Sequence, residues 1–261
     1  MRHVTTVAGR ELRGLFVSPV AYGVLSLFAI LGGVFFILYL ADFAERIFYL
    51  QQMQAVQQLE ELNLSDHLVS GFYGSMSMVL LFLIPGVTMG LFAAEKTNGT
   101  QELLLTSPLT IWDIVLGKFV ASALFVGLLA GVVGLFPGIL FLYGNPELGK
   151  TAAGLLGVLL VGWTYAAIGC FASSLTRSQV LAFLATFVIL LCILLVSAIV
   201  DLGIAGAAPA LTEVLRWIST GAHMDNLTNG LVDTADLAYF AVMIGCFLFM
   251  TKAVVESVRW R

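Results

Sequence analysis

Gly144-Asn145-Pro146-Glu147-Leu148-Gly149-Lys150-Thr151 matches, letter for letter, the G-x-x-x-x-G-K-[ST] pattern of a phosphate-binding loop. In that chemistry a strand feeds the loop, and free N–H groups at the start of the following helix cradle phosphate oxygens beside the lysine. Here the octet falls between two long apolar runs with no room for an α/β domain, so it is read as a turn and not as a nucleotide site. Other candidates for chemistry are sparse. His3, His67 and His223 stand far apart in the chain, and there is neither an H-E-x-x-H pair nor a G-x-S-x-G elbow. Cys170, Cys192 and Cys246 lack C-x-x-C spacing, so they are expected to be small apolar core residues rather than zinc ligands or disulfide partners. No catalytic residue, metal ligand or cofactor site is expected in this chain.

The elements that hold these residues are set by composition. Of 261 residues 60% are hydrophobic and 11% charged, with a mean hydropathy of +1.01. A water-soluble domain carries charge on roughly a quarter of its residues, so this chain belongs in lipid. A net charge of −4 and a pI near 5.3 exclude a global basic footprint for nucleic acid. An apolar run of about 20 residues at 1.5 Å rise covers the roughly 30 Å hydrocarbon core. Residues 15–41, 68–94, 119–143, 151–176 and 178–200 contain no Asp, Glu, Lys or Arg, and residues 237–251 reach spanning length if Lys252 snorkels and the helix continues to Val255. The expected fold is therefore all-α and polytopic, with six transmembrane helices in one domain of residues 1–261.

Six spans place both termini on one side, and sorting the charges by side orients the chain. Arg2, Arg10, Arg13, Lys96, Lys118, Arg177, Lys252, Arg259 and Arg261 lie on the side of the termini, nine of the 12 basic residues, against five of the 16 acids. By the positive-inside rule the termini are cytoplasmic. Secondary carriers and pumps place ionisable relays inside the membrane, and these spans carry none, so energy for any movement must enter from another subunit.

The segments between spans receive distinct readings. Residues 4–16, with Arg10, Glu11 and Arg13 opposite Leu12, Leu15 and Phe16, read as an amphipathic helix at the membrane surface. Residues 42–67 are Gln-rich and acidic, either an external helix or a solvated linker. Residues 95–112 are charged at first and then apolar at Leu103, Leu104 and Leu105, which suits a cytoplasmic surface helix with a partner, or else an ordinary loop. Asn98 with Gln101 has N-cap spacing there, and Thr110 with Asp113 repeats the capping-box spacing before the third span. Residues 201–236 hold apolar patches too short to span and are expected to include partly re-entrant external helices. Pro85 and Pro137 supply kinks, while Gly86, Gly90, Gly127, Gly131, Gly134 and Gly138 offer close helix packing.

Several motifs together resemble a known family. They are R-E-L at Arg10 to Leu12 before Ser18-Pro19; E-K-x-x-G-T-x-E-L-L-L-T-S-P from Glu95 to Pro108; and L-G-K at Leu116 to Lys118. To these add G-x-P-x-L-G at Gly144 to Gly149, S-S-L-T-R at Ser173 to Arg177, and H-x-x-x-L-x-x-G-L-V-D-x-x-D-x-x-Y-F from His223 to Phe240. Through nearly its whole length the chain resembles type 2 ATP-binding-cassette (ABC) exporter permeases, most of all the gliding-motility and nitrous-oxide-reductase-maturation branch. The resemblance implies that Glu95, Lys96, Gly99, Thr100, Gln101, Glu102, Leu103 and Leu104 form a coupling helix docking on a separate ATPase, with Thr176 and Arg177 as a second contact. Lys96 stands where a second acid is common. Residues 1–16, with Arg10, Glu11 and Arg13, would be the connecting helix. Residues 201–236, with His223, Asp225, Gly230, Asp233 and Asp236, would hold the external gate.

The reading is thus a permease subunit of a bacterial inner membrane, without enzymatic activity of its own, pairing with a second copy or a paralogous permease. Two cytoplasmic ABC ATPase subunits would bind ATP and Mg, and a periplasm-facing accessory subunit is a further expected partner. A non-transporting membrane anchor for an ATPase complex in motility or protein maturation is the competing reading.

Overall fold

The structure is a computed structural model and describes residues 2–54, 65–100, 109–143, 146–202 and 209–259. Among the described residues every regular element is helical: α1 (Arg2–Val17), α2 (Pro19–Gln52), a π-helical turn (Ser65–Val69) running into α3 (Ser70–Thr88), α4 (Gly90–Thr97), α5 (Ile111–Tyr143), α6 (Leu148–Leu175), α7 (Gln179–Asp201), α8 (Pro209–Ile218), α9 (Thr220–Thr228) and α10 (Thr234–Arg259). Among the described residues six helical stretches are long and apolar enough to cross a membrane: Pro19–Gln52, His67–Thr97, Ile111–Leu142, Leu148–Leu175, Gln179–Val200 and Thr234–Ser257.

The expected boundaries shift at three places for identifiable reasons. Residues 4–16 are helical as expected, but the first span starts at Pro19 rather than residue 15, because the Ser18 hydroxyl accepts from the Val20 N–H and Pro19 supplies the first helical position. At its other end the external segment from Asp42 is no separate helix as far as Gln52. α2 runs on through it, and its 34 residues at 1.5 Å rise extend about 50 Å, well past the hydrocarbon thickness. Pro85 sits inside α3, and the helix breaks at Met89 before α4 resumes.

α6 is the central post. It packs against α3, α4, α5, α7, α9 and α10, and is far more buried than the flanking α2 and α7. Its neighbours reach it because its side chains are small. A Cβ on Gly162 would meet Val126 at 2.5 Å and one on Gly157 would meet the Met224 sulfur at 2.7 Å; Tyr73 lies over Gly154 and Thr88 over Gly169. The expected glycine set is therefore corrected. Gly86, Gly127, Gly131 and Gly138 have nothing within 4 Å, and only Gly134 of the α5 series meets another helix, at Leu155. The cysteines divide as well: Cys170 is buried on α6, whereas Cys192 on α7 and Cys246 on α10 are exposed, so the expectation of core residues holds for Cys170 alone.

Candidate functional site: a charged clamp and a buried histidine at opposite ends

α1 lies along α5 because Gly117 has no side chain; an added Cβ would fall 2.6 Å from that of Val7, and Val7 and Ala8 are buried in the seam. The next residue, Lys118, is 1% exposed. Its ammonium donates to the Leu91 carbonyl at 2.6 Å, to Glu95 Oε1 at 2.8 Å and to Glu11 Oε1 at 3.1 Å, and lies 5.3 Å from the centre of the Phe92 ring. Arg10 closes the cluster from outside, reaching Glu11 at 2.8 Å and Glu95 at 3.4 Å. The hydrogen bond that Arg10 donates to Glu11, with the charges of Glu11 and Glu95, raises the Arg10 pKa above its ordinary value. Arg13 is exposed on the same helix and stands outside this cluster. Three donor sites on one buried cation thus tie α1, α4 and α5 into one unit, and the arrangement is charge-assisted throughout.

A second seam joins α4 to the end of α6. The Ser173 hydroxyl donates to the Met89 carbonyl at 2.9 Å and accepts the N–H groups of Phe92 and Ala93 at 3.0 and 3.1 Å. It therefore satisfies backbone groups freed where the helix breaks at Met89. Lys96 Nζ donates to the Ser174 carbonyl, and the Thr97 hydroxyl to the Arg177 carbonyl. Two segments assigned separately from the sequence, Glu95 to Thr97 and Thr176 to Arg177, are neighbours.

Asn98 is not the N-cap its spacing suggested. It follows the last turn of α4, its N–H donating to the Ala94 carbonyl at 3.0 Å, and Gly99 takes φ +70° while the Thr100 N–H returns to the Glu95 carbonyl at 3.0 Å. Gly99 is thus the left-handed residue of a helix C-terminus, a role glycine fills without a Cβ penalty. Gln101, Glu102, Leu103 and Leu104 lie outside the described residues. On the far side of that segment the Thr110 and Asp113 pair forms the reciprocal capping box, with N–H to side-chain distances of 3.2 Å in both directions.

At the opposite end of the bundle His223 and Asp236 meet. His223 Nδ1 lies 2.6 Å from Asp236 Oδ1 and Nε2 lies 3.2 Å from the Trp217 carbonyl oxygen, while the ring stacks on Tyr239 at 4.1 Å. Asn226 donates to both Asp236 oxygens at 3.3 Å, and the Tyr239 hydroxyl donates to the Ile218 carbonyl at 2.9 Å. The network pins α8 and α9 to the start of α10. The other proposed gate residues do different work. Gly230, at φ +83°, ends α9 with the Leu231 N–H on the Asn226 carbonyl at 2.9 Å; Asp233 accepts the Ala235 N–H at 3.2 Å at the head of α10; Asp225 is exposed on α9.

The phosphate-loop letters reach the structure only in part. Helix α5 precedes them instead of a strand, Gly144 and Asn145 lie outside the described residues, and Lys150 pairs with Glu147 at 3.8 Å in the first turn of α6. Lys118, Ser173, Trp217 and Tyr239 were not singled out by sequence reasoning as site residues. Three of the four nevertheless stand inside the quoted motifs, Lys118 in L-G-K, Ser173 in S-S-L-T-R and Tyr239 in the His223 to Phe240 pattern, and Trp217 carries no such signal.

A family model described as ABC-2 family transporter protein matches residues 5–255. The chain is also similar to the Probable multidrug ABC transporter permease YbhR of Escherichia coli K12 and its counterpart in Escherichia coli O157:H7. Each is 28% identical over 200 residues, covering 72% of this chain and 53% of the relative. This chain matches about half the length of those relatives.

Proposed function

Because the chain belongs to the ABC-2 family of transporter proteins, we propose that this multi-pass membrane protein is a permease subunit that moves a cargo across the membrane using ATP hydrolysed by a separate subunit. The observation that supports a mechanical role is the Lys118 clamp. Residues 98–110 connect α4 to α5 in sequence, and both helices, together with α1, are held by that one buried ammonium. A push on this segment would therefore displace the second and third spans and the N-terminal helix together, since packed elements move as units between discrete arrangements. Arg177, bonded through its carbonyl to Thr97, would carry the same push to the fourth and fifth spans.

On this reading residues 95–112 are the coupling segment, the termini face the cytoplasm, which the charge distribution supports, and α8 and α9 form an external gate held by His223 and Asp236. Two cytoplasmic ABC ATPase subunits bind ATP and Mg and work on a pair of permeases, this chain with a second copy or a paralogue, with a periplasm-facing accessory subunit completing the assembly. The motif at Glu95 to Pro108 and the His223 to Phe240 pattern support placement near the gliding-motility and nitrous-oxide-reductase-maturation branch. Family membership favours transport over the anchor reading.

The test is reconstitution of the chain with its ATPase in proteoliposomes. Glu102→Lys is expected to abolish ATP-dependent cargo movement while the variant keeps the melting behaviour of the parent. Undiminished coupling in Glu102→Lys, or ATP hydrolysis by the purified chain alone, refutes the assignment.

A further inference from the structure

α8 ends at Ile218, and its last two carbonyls, which the helix itself leaves without donors, are met by side chains from other elements. The Tyr239 hydroxyl donates to the Ile218 carbonyl at 2.9 Å, and His223 Nε2 lies 3.2 Å from the Trp217 oxygen. The other ring nitrogen, Nδ1, lies 2.6 Å from Asp236 Oδ1. Asn226 donates to both oxygens of that carboxylate, so each of them serves as an acceptor. His223 therefore sits between two acceptors, one from α8 and one from α10. A neutral imidazole carries a single N–H and satisfies one of them; an imidazolium carries two and satisfies both. A cation in this position also meets the negative end of the α8 dipole and the face of the Tyr239 ring, stacked at 4.1 Å.

The surrounding charges leave that choice to the two acceptors. Glu213 and Arg216 of α8 line one surface hollow with His223, and their charges oppose each other. α6, α7 and α9 itself add Lys150, Asp201 and Asp225, Asp233 precedes α10, and α3 adds no charge. Among the described residues Asp236 is the ring's one ion-pair partner. When the ring gives up a proton, the one that remains stays on Nδ1, where the bond to the carboxylate is charge-assisted. The bare Nε2 then faces the Trp217 oxygen, two acceptors without a proton between them, and α8 keeps only the Tyr239 bond at its end. We propose that His223 is a proton-operated latch on α8: with a proton on each ring nitrogen it ties α8 through α9 to α10, and loss of one proton as pH rises loosens α8. Histidine is the side chain whose charge ordinarily changes between about pH 5 and 8, so the latch works near neutrality. The device belongs to this chain alone; it rests on the permease reading only where α8 is called part of a gate.

The experiment uses the full chain in lipid nanodiscs with nitrogen-15 in its histidine rings, titrated between about pH 5.5 and 8.5. Ring nitrogen chemical shifts report whether one or both nitrogens carry a proton. The chain has three histidines, so His3→Gln and His67→Gln assign the other two rings and His223 is read in the parent itself. Amide hydrogen exchange, corrected for its intrinsic pH dependence, reports the hold on α8 and α9. His223 is expected to carry both protons at the acid end and one at the alkaline end, where α8 and α9 amides should exchange about tenfold faster, as loss of one charge-assisted hydrogen bond predicts. His67→Gln, which removes the other histidine paired with a carboxylate, should keep the parent's response, whereas His223→Gln should show none. A His223 ring with one proton throughout, a ring that keeps both throughout, or a ring that titrates while α8 exchange stays level overturns the proposal in the parent alone. A response that survives in His223→Gln overturns it as well. Those failures leave the permease reading untouched, since that reading is judged by ATP-dependent movement in the Glu102→Lys comparison.

Discussion

Lys118→Met keeps the length and apolar stem of the side chain and removes the one cation that α1, α4 and α5 share. In the parent, Glu11 and Glu95 each place an Oε1 atom on the same nitrogen, at 3.1 and 2.8 Å, so the two oxygens are at most about 6 Å apart. At an effective dielectric of about 20, two unit charges at that distance repel by about 3 kcal/mol. Arg10 offsets part of this, and both carboxylates retain some water, their side chains being 19% and 18% exposed. The Leu91 carbonyl also loses its donor, at about 1 kcal/mol. The expected destabilisation is about 3 kcal/mol, within the range for breaking a buried ion pair by deleting one partner. It is measured by unfolding in mixed micelles, together with hydrogen exchange of α1 amides, which should accelerate as that helix detaches from α5. Adding Glu95→Gln to Lys118→Met removes the repulsion and should recover about half of the loss. If Lys118→Met instead unfolds within about 0.5 kcal/mol of the parent, the range of an inconsequential surface change, and α1 exchanges no faster, the clamp is not what holds these helices.

Two further perturbations probe the other seams. Asp236→Ala strips His223 and Asn226 of their shared acceptor in a buried setting and should cost about 2–4 kcal/mol, with exchange accelerated in α8 and α9 and unchanged in α1; equal acceleration at both ends would contradict the separation of the two networks. Gly169→Ala forces a methyl onto Thr88 and should destabilise the bundle by about 1–3 kcal/mol, whereas Gly131→Ala, with nothing within 4 Å, should be neutral or stabilise its helix by up to about 1 kcal/mol; thermal melts of the two variants in the same detergent check the contrast.

The apolar runs located all six spans because membrane insertion is decided by local composition, and a run long enough to cross lipid cannot hide in the chain. Ends of helices were less legible. Ser18-Pro19 carries a start signal inside an otherwise continuous apolar run, and Asn98 with Gln101 has the spacing of a beginning although Gly99 marks an end. For the site, Glu11, Glu95 and Arg177 were named one by one, but nothing in their spacing said that Glu11 and Glu95 share a lysine 107 and 23 residues away, respectively. His223 and Asp236 were likewise assigned to one region without a reason for their contact, which depends on how α9 turns back at Gly230.

Sequence alone determined that the chain is helical and that it carries six runs long and apolar enough to cross a membrane, because both follow from which residues sit within one helix length of each other. Only the tertiary structure decided which glycines are crossings, which lysine is buried, and which carboxylate His223 meets. Those facts depend on the lateral order and rotation of helices around α6, and in a bundle of uniformly apolar helices hydrophobicity cannot specify either; shape and a few polar bonds do.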